Sequence, residues 1–366
     1  SPTLMQDNKK SVWAVQQKLQ RLAMLTPCMV STFFTMAGFL TSYSKENEHW
    51  KPVPLFDQID LLIVDEAGQC LTSVAAACFA LAKKAVVVGD TYQIDPVWNI
   101  PESIDRANLK VTGLFKNDED YRLHWTKSGL LSSQGSLMER AQNRTTLHQC
   151  PDLCPGLYLT EHRRCFDSII RYCNEVIYHG VLEPMRGDPS VESSSNTMEF
   201  IHVPGESERL GNSRVNRTQA VYIARWIDAN RTELLELIGK SVPIENEIEA
   251  ICSMVAVVTP FKSQAELIKR ELNKYAYGSM TVGTTHALQG AERTVVLFSS
   301  VYGLSDKTTK KFYENGANLL NVAVSRAKER FIVFGHQDVF GSSPTDRYSY
   351  ALRKYLADVN SNKLAA

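Results

Sequence analysis

The sequence predicts an α/β protein built on parallel sheets. Five short runs rich in Val, Ile, Leu, Phe and Ala recur along the chain, at Ile59–Val64, Ala85–Val88, Val255–Val258, Thr294–Phe298 and Phe331–Phe334. None alternates apolar with polar residues, as expected of parallel strands buried on both faces. Stretches of helical period lie between them, and strands alternating with helices give layered α/β architecture. No self-similar period of 20 to 50 residues is present, which argues against a solenoid.

The helical stretches follow from their apolar spacing. Asn216–Leu237 reads as a long helical segment with Val221, Ala224, Trp226, Ile227, Leu234 and Leu237 as its apolar members. Ser263–Tyr275 is the clearest: Ser263 and Glu266 have capping-box spacing, and Ala265, Ile268, Leu272 and Tyr275 fall on one face. Trp98–Cys150 differs, with mixed charge, short apolar pieces and Gly/Ser turns, and reads as an insertion or lid. Gly187–Asn196 and Gly303–Gly316 read as polar loops, the second carrying Lys307, Lys310 and Lys311.

Composition bounds the function. At ~150 residues per domain, 366 residues make about two domains. With 44% apolar and 22% charged residues, the chain has the make-up of a globular protein and needs neither metal nor disulfide to form a core. Forty basic residues balance forty acidic ones, which excludes a strongly basic tail protein and leaves room for a local basic groove. No apolar run approaches the ~20 residues of a membrane span, and Ser1–Lys10 has no signal-peptide core. Eight scattered cysteines point to a reducing, intracellular compartment, cytoplasmic or nuclear. Cys150, Cys154, Cys165 and Cys173 lack the paired spacing of a zinc site, and Cys165 and Cys173 read as packing residues. The ending Lys363-Leu364-Ala365-Ala366 resembles a vector junction, so the chain is expected to be a fragment of a longer protein.

Two motifs carry chemistry. In Leu61-Leu62-Ile63-Val64-Asp65-Glu66-Ala67-Gly68-Gln69, an apolar strand ends in two carboxylates. Ligands of open parallel sheets sit at carboxyl ends of strands. Phosphoryl transfer to water needs one carboxylate to hold Mg²⁺ and a second group to orient the water, roles that suit Asp65 and Glu66. The plain alternative is an acidic helix start. In Val86-Val87-Val88-Gly89-Asp90-Thr91-Tyr92-Gln93, a second strand ends in Gly89-Asp90, with Gln93 placed to sense a terminal phosphate.

Asp-Glu-Ala-x-Gln followed by Gly-Asp-x-x-Gln resembles motifs II and III of superfamily 1 helicases. Four further blocks follow in the family's order. Leu159-Thr160-Glu161-His162-Arg163-Arg164-Cys165, continuing to Leu182, looks like motif IV and its following helix, Val257-Val258-Thr259-Pro260-Phe261-Lys262-Ser263-Gln264 like the motif preceding V, Val282-Gly283-Thr284-Thr285-His286-Ala287-Leu288-Gln289-Gly290-Ala291-Glu292 like motif V, and Asn318-Leu319-Leu320-Asn321-Val322-Ala323-Val324-Ser325-Arg326-Ala327-Lys328 like motif VI. The wording is most similar to the branch containing nonsense-mediated-decay helicases and senataxin.

The resemblance implies two RecA-like domains and a set of roles. The first domain covers residues 1–97 and is incomplete, 98–150 is an insertion, and 151–362 is the second domain, with the expected vector remnant 363–366 outside it. ATP and Mg²⁺ are the cofactors, with Mg²⁺ held by Asp65. Arg326 neutralises charge on the transferring phosphate, and Arg163 or Arg164 does so from motif IV, where the family's Gln-Tyr-Arg register favours Arg163. Gly89, Asp90, Gln289, Gly290 and Glu292 approach the nucleotide. Single-stranded DNA or RNA meets Ser31, Thr32 and Phe33, in a block resembling motif Ic, and Thr259, Pro260, Lys262, Thr284, Thr285 and His286. The branch moves 5′ to 3′. The family's Gly-x-x-x-x-Gly-Lys-Ser/Thr phosphate cradle has no match: Gly239-Lys240-Ser241 has Leu234 where the first glycine belongs. That cradle is expected upstream in a parent chain, so this piece alone should be nearly inactive. The competing reading is a non-catalytic nucleic-acid-binding or docking scaffold, with the insertion as a partner surface.

Overall fold

The computed structural model describes residues 11–46, 49–189, 196–237, 243, 246–288 and 292–359. The chain forms two compact units, Ser1–Thr91 with Asp95–His148, and Tyr92–Ile94 with Gln149–Ala366.

The first unit begins with helices α1 (Val12–Leu25) and α2 (Phe33–Phe39) and an antiparallel hairpin, β1 (Thr41–Glu46) with β2 (His49–Pro54). Strands β3 (Leu62–Val64) and β4 (Ala85–Val87) pair in parallel, joined through helix α3 (Thr72–Phe79). Leu62 and Val64 join Ala67, Ala75, Cys78 and Leu137 in its core. The expectation of burial on both faces fails for this pair: Ile63 is 62% and Val86 47% exposed. Opposite sides of a strand meet different surroundings, and among the described residues only one side of β3 and β4 is covered. An apolar residue on the uncovered side makes the run look buried throughout.

Residues 98–148 add helices α4 (Glu102–Val111) and α5 (Leu137–Gln142), with a small core of Leu109, Tyr121 and Leu131. Ser136 accepts the Glu139 N–H at 3.2 Å while Glu139 accepts the Ser136 N–H at 2.9 Å, a complete capping box. The Leu137 N–H donates to the Cys70 carbonyl at 2.7 Å, which seats α5 on the turn that follows Glu66.

The second unit opens with a short parallel pair, β5 (Glu161–His162) with β6 (Glu183–Pro184), around helix α6 (Asp167–Val176). Its centre is a six-stranded sheet of order β11-β10-β12-β13-β7-β14, every neighbouring pair parallel. The strands are β7 (Met198–His202), β10 (Val255–Val258), β11 (Thr281–Gly283), β12 (Arg293–Ser299), β13 (Ala327–Gly335) and β14 (Ala357–Val359), while β8 (Glu208–Leu210) and β9 (Ser213–Val215) form a hairpin. Helices α7 (Arg217–Ala229), α8 (Arg231–Glu236), α9 (Glu247–Met254) and α10 (Lys262–Asn273) contribute to one core with Val255, Val257, Val295, Leu297, Ile332 and Phe334. Helices α6, α11 (Asn318–Ser325) and α12 (Arg347–Arg353) contribute to the other with Ala256, Val258, Val296, Phe298, Phe331 and Val333. Alternate residues of each strand therefore go to opposite cores, which is why these runs are apolar throughout.

Two helix expectations are corrected. Asn216–Leu237 is not one helix: α7 stops at Ala229, where Asn230 Nδ2 donates to the Trp226 carbonyl at 2.7 Å and competes with the backbone ladder. Ser263 does not cap: α10 starts at Lys262 after Phe261, and Ser263 donates its N–H to Ser213 Oγ at 3.4 Å. The apolar face held, with Ala265, Ile268 and Leu272 buried.

Candidate functional site

In the first unit, Asp65 and Glu66 follow the carboxyl end of β3 and are exposed. Asp65 Oδ1 accepts the Glu66 N–H at 2.9 Å. Glu66 adopts φ 54° and ψ 37°, a left-handed conformation uncommon for a residue with a side chain. Gln69 Nε2 donates to Glu66 Oε2 at 2.8 Å, so the carboxylate is aimed. Strained, aimed acidic residues of this kind gather at functional sites.

The turn after β4 lies directly on this one. The Ala67 N–H donates to the Val88 carbonyl at 2.8 Å. A side chain at Gly89 would place its Cβ 2.7 Å from the Gly68 nitrogen and 2.8 Å from the Ala67 nitrogen, and one at Gly68 would collide with the Asp90 carbonyl. Both motifs use glycine because their backbones touch. Asp65, Glu66, Gly89 and Asp90 thus stand in one cluster.

In the block Ser31-Thr32-Phe33, the Thr32 backbone caps α2, while the Ser31 and Thr32 hydroxyls meet Thr35 Oγ1 at 2.7 and 3.0 Å. Phe33 packs partly against the Leu62–Val64 core, whereas its neighbour Phe34 is 82% exposed. Nothing in the spacing singled out Phe34.

Gln93 belongs with the second unit, in the segment Tyr92–Ile94. Asn321, fully buried, donates through Nδ2 to the Tyr92 carbonyl at 2.7 Å and to Tyr178 Oη at 2.9 Å. The Tyr92 and Tyr178 rings meet edge to face at 5.8 Å. Burial pushes the Tyr92 phenol well above its ordinary range. Sequence reasoning missed Tyr92, Tyr178 and the anchoring role of Asn321, because an aromatic beside a motif carries no signal of its own.

The amino-terminal edge of the six-stranded sheet holds an ionic cluster. Glu292, just ahead of β12, accepts from Arg164 at 2.7 Å and from Lys328 at 2.5 Å. Lys328 comes first among the causes that hold the Glu292 carboxyl below its ordinary range, with Arg164 adding to it. The Arg293 N–H donates to the Arg326 carbonyl at 3.0 Å, and Cys165 Sγ meets the Ser325 carbonyl at 3.4 Å, which ties the Arg164 segment to the end of α11. Arg326 is 4% exposed. Burial pushes the Cys165 thiol up to about 12, and Arg164, Arg186 and Arg326 lie close enough to oppose that rise. Arg163 turns away from Glu292 to Glu161, with Nη2 to Oε2 at 2.7 Å. Gln289 and Gly290 lie outside the described residues. Lys328 is an unforeseen member of the cluster, although it stands inside the quoted block.

The carboxyl-terminal edge of the same sheet holds the other set. Thr259, Pro260 and Lys262 follow β10, and Thr284, Thr285 and His286 follow β11. Lys262 and His286 are exposed, while Thr259 and Pro260 are buried and Thr285 is 7% exposed. Backbone pairing of Thr259 N–H to the Gly283 carbonyl at 3.0 Å holds the two turns side by side. Because all six strands run parallel, the ionic cluster and this row occupy opposite edges.

All eight cysteines are free, and among the described residues no three His, Cys, Asp or Glu side chains converge on a metal position. No helix among the described residues is long and apolar enough to cross a membrane.

Comparison with known proteins shows the family. Residues 133–338 match an AAA domain family, and residues 37–99 match a second family with the same description. The chain is 24% identical over 323 residues to the DNA replication ATP-dependent helicase/nuclease dna2 of Schizosaccharomyces pombe, covering 84% of this chain and 21% of that protein. It is 24% identical over 301 residues to the helicase SEN1 of Saccharomyces cerevisiae, covering 76% of this chain and 11% of that one. The chain therefore spans about a fifth or less of the length of these two relatives. The solved complex of arterivirus nonstructural protein 10, a helicase, with DNA aligns over 81% of this chain and 43% of that one at 12% identity, with a TM-score of 0.35. The sheet order, the motifs and the family match agree, and the chain belongs to the AAA domain family as a superfamily 1 helicase portion of the nonsense-mediated-decay-helicase and senataxin-like branch.

Proposed function

We propose that the chain is the motor portion of an ATP-dependent helicase or translocase that moves 5′ to 3′ along single-stranded nucleic acid. The observation that supports it most is the division of the second unit's sheet. An arginine and carboxylate cluster lies at one edge, suited to a nucleotide, and exposed Lys262 and His286 with half-buried Thr284 lie at the other, suited to a strand.

In this reading residues 1–97 are the nucleotide-binding domain without its phosphate cradle, 98–150 an inserted docking element, and 151–362 the second RecA-like domain. The uncovered side of β3 and β4, with exposed Leu61, Ile63, Val86 and Val88, is an apolar surface suited to pack a further element.

Asp65 offers hard oxygen ligands, which fit Mg²⁺. When bound, Mg²⁺ neutralises phosphate charge. Glu66, aimed by Gln69, orients the attacking water, and Gln93 reads the terminal phosphate. Arg326 and the motif IV arginines neutralise the charge that develops on it. Arg164 already stands beside Glu292, whereas Arg163 must leave Glu161 to take part.

The test is unwinding by the full-length protein of duplexes carrying a 5′ or a 3′ single-stranded tail, in DNA and in RNA. Unwinding that needs the 5′ tail and ATP is expected. Unwinding from the 3′ tail overturns the direction, and ATP-independent binding with no unwinding on any tail overturns the motor.

A further inference from the structure

Residues 307–311 and Glu314, with residues 342–348 around the start of α12, line a surface cleft of about 740 Å³ within the second unit. Its walls carry four cations, Lys307, Lys310, Lys311 and Arg347, against two carboxylates, Glu314 and Asp346. Both carboxylates are committed. Asp346 Oδ2 accepts from Lys311 Nζ at 2.9 Å, with Lys311 only 2% and Asp346 8% exposed. Glu314 accepts the backbone N–H groups of Tyr348 and Ser349 at 2.9 and 2.8 Å. Lys311 also donates to the Lys307 carbonyl at 2.9 Å, so the buried pair fixes the shape of the loop that presents the outer lysines. Lys307, Lys310 and Arg347 are exposed, and Lys307 and Lys310 make no ion pair among the described residues. Thr308 and Thr345, also exposed on the lining, add hydroxyl donors. Exposed cations beside hydroxyls are the groups that hold phosphate oxygens without reading bases.

The position of the cleft selects its occupant. Its loop follows the carboxyl end of β12, and its turn follows that of β13. In the order β11-β10-β12-β13, those strands continue the row that begins with Thr284 and then Thr259 and Lys262. At ~4.8 Å per strand, β13 lies roughly 14 Å from β11 along one edge of the sheet. A nucleic-acid strand crossing the sheet perpendicular to its strands passes the two hydroxyl turns and then arrives at the cleft. An acidic protein segment would have no such run of contacts leading to it.

We propose that this cleft binds backbone phosphates of the single strand and extends the nucleic-acid contact row beyond the motif residues. The proposal rests on the helicase reading above. Because the contacts are to phosphates, they weaken all sequences alike when removed.

The experiment is fluorescence anisotropy of labelled oligonucleotides, DNA and RNA, with the full-length protein over a range of salt. Wild type is compared with K307A/K310A and with K269A, which removes an exposed lysine on α10 away from the cleft. Each phosphate contact contributes a salt slope of about 0.7 for single strands, so losing two flattens the slope by about 1.4, or about 25-fold in affinity over a decade of salt. K269A is expected to leave the slope unchanged. Wild-type binding with an unaltered slope in K307A/K310A overturns the cleft and leaves the helicase reading standing. An equal effect of K269A also overturns it, as unspecific charge. No binding by the wild type on either nucleic acid overturns the reading beneath it.

Discussion

Replacing Gly89 by alanine adds one carbon where two peptide backbones already touch. The new Cβ would sit 2.7 Å from the Gly68 nitrogen and 2.8 Å from the Ala67 nitrogen, whereas ordinary contact begins at 3.4 Å. The turns must separate by about 0.7 Å, the difference between 3.4 and 2.7 Å. Neither nitrogen can swing aside as a side-chain tip could, and that of Ala67 is also committed to the Val88 carbonyl at 2.8 Å. Overpacking of this size costs about 1–3 kcal/mol. For a unit of this size, each kcal/mol lowers the melting midpoint by roughly 3–4 °C, so a fall of roughly 3–12 °C is expected. The assay is thermal and urea unfolding of the chain, followed in the transition of the first unit. Gly38→Ala is the opposite control. Gly38 lies in α2 with nothing within 4 Å of its added Cβ, so alanine should stabilise by about 0.5–1 kcal/mol. If Gly89→Ala is as stable as wild type, the two turns are not in contact and the account of the paired motifs is wrong.

The second unit yields two further predictions. Gln264 is fully buried on α10. It accepts the Asn216 N–H at 2.7 Å and donates to the Asn216 carbonyl and Ser299 Oγ at 3.1 and 3.2 Å. Gln264→Leu keeps the volume and orphans those groups, so urea denaturation should show a loss of about 2–4 kcal/mol, and a loss below half a kcal/mol would contradict this. His162 is held down to about 4, chiefly by burial and then by Arg164, and its Nε2 accepts the Cys165 N–H at 3.1 Å, which requires the neutral ring. The unfolded ring takes up its proton near 6.5 and the folded ring near 4, so its contribution is complete above pH 6.5 and drains away as pH falls toward 4. The ceiling is about 3 kcal/mol, lowered by partial exposure to solvent. Stability measured across that window should fall less steeply in His162→Gln, and an identical slope would refute the assignment.

How much of this was legible in the sequence depends on where each signal resides. All five strand runs appear as parallel strands, because Val255–Val258 and its neighbours are sandwiched between two helical layers and must be apolar at every position. The same pattern misled at β3 and β4, where Ile63 and Val86 are apolar yet exposed, since composition does not report which side is covered. Ser263 and Ser136 share capping-box spacing, and the box forms at Ser136, where Glu139 is in place, and not at Ser263. A four-residue spacing is common, and packing decides which copy starts a helix. At the candidate site, the quoted blocks included Glu292, Arg164 and Lys328. That Arg164 rather than Arg163 faces Glu292 is a matter of side-chain direction at the end of a two-residue strand, which spacing does not encode. Tyr92 and Asn321 meet only through the fold, 229 positions apart.

ATP turnover by the full-length protein, with and without single-stranded DNA and RNA, beside Glu66→Gln and Arg326→Ala, tests the motor most directly. Turnover stimulated by a strand is expected in the wild type, with a fall of at least about a hundredfold in each variant, in line with losing one preorganised group from a phosphoryl-transfer site. Glu66→Gln should still bind ATP, since the change removes only the group that orients water. Strand-stimulated turnover that survives both substitutions, or a folded wild-type protein that binds strands yet never hydrolyses ATP, would contradict it.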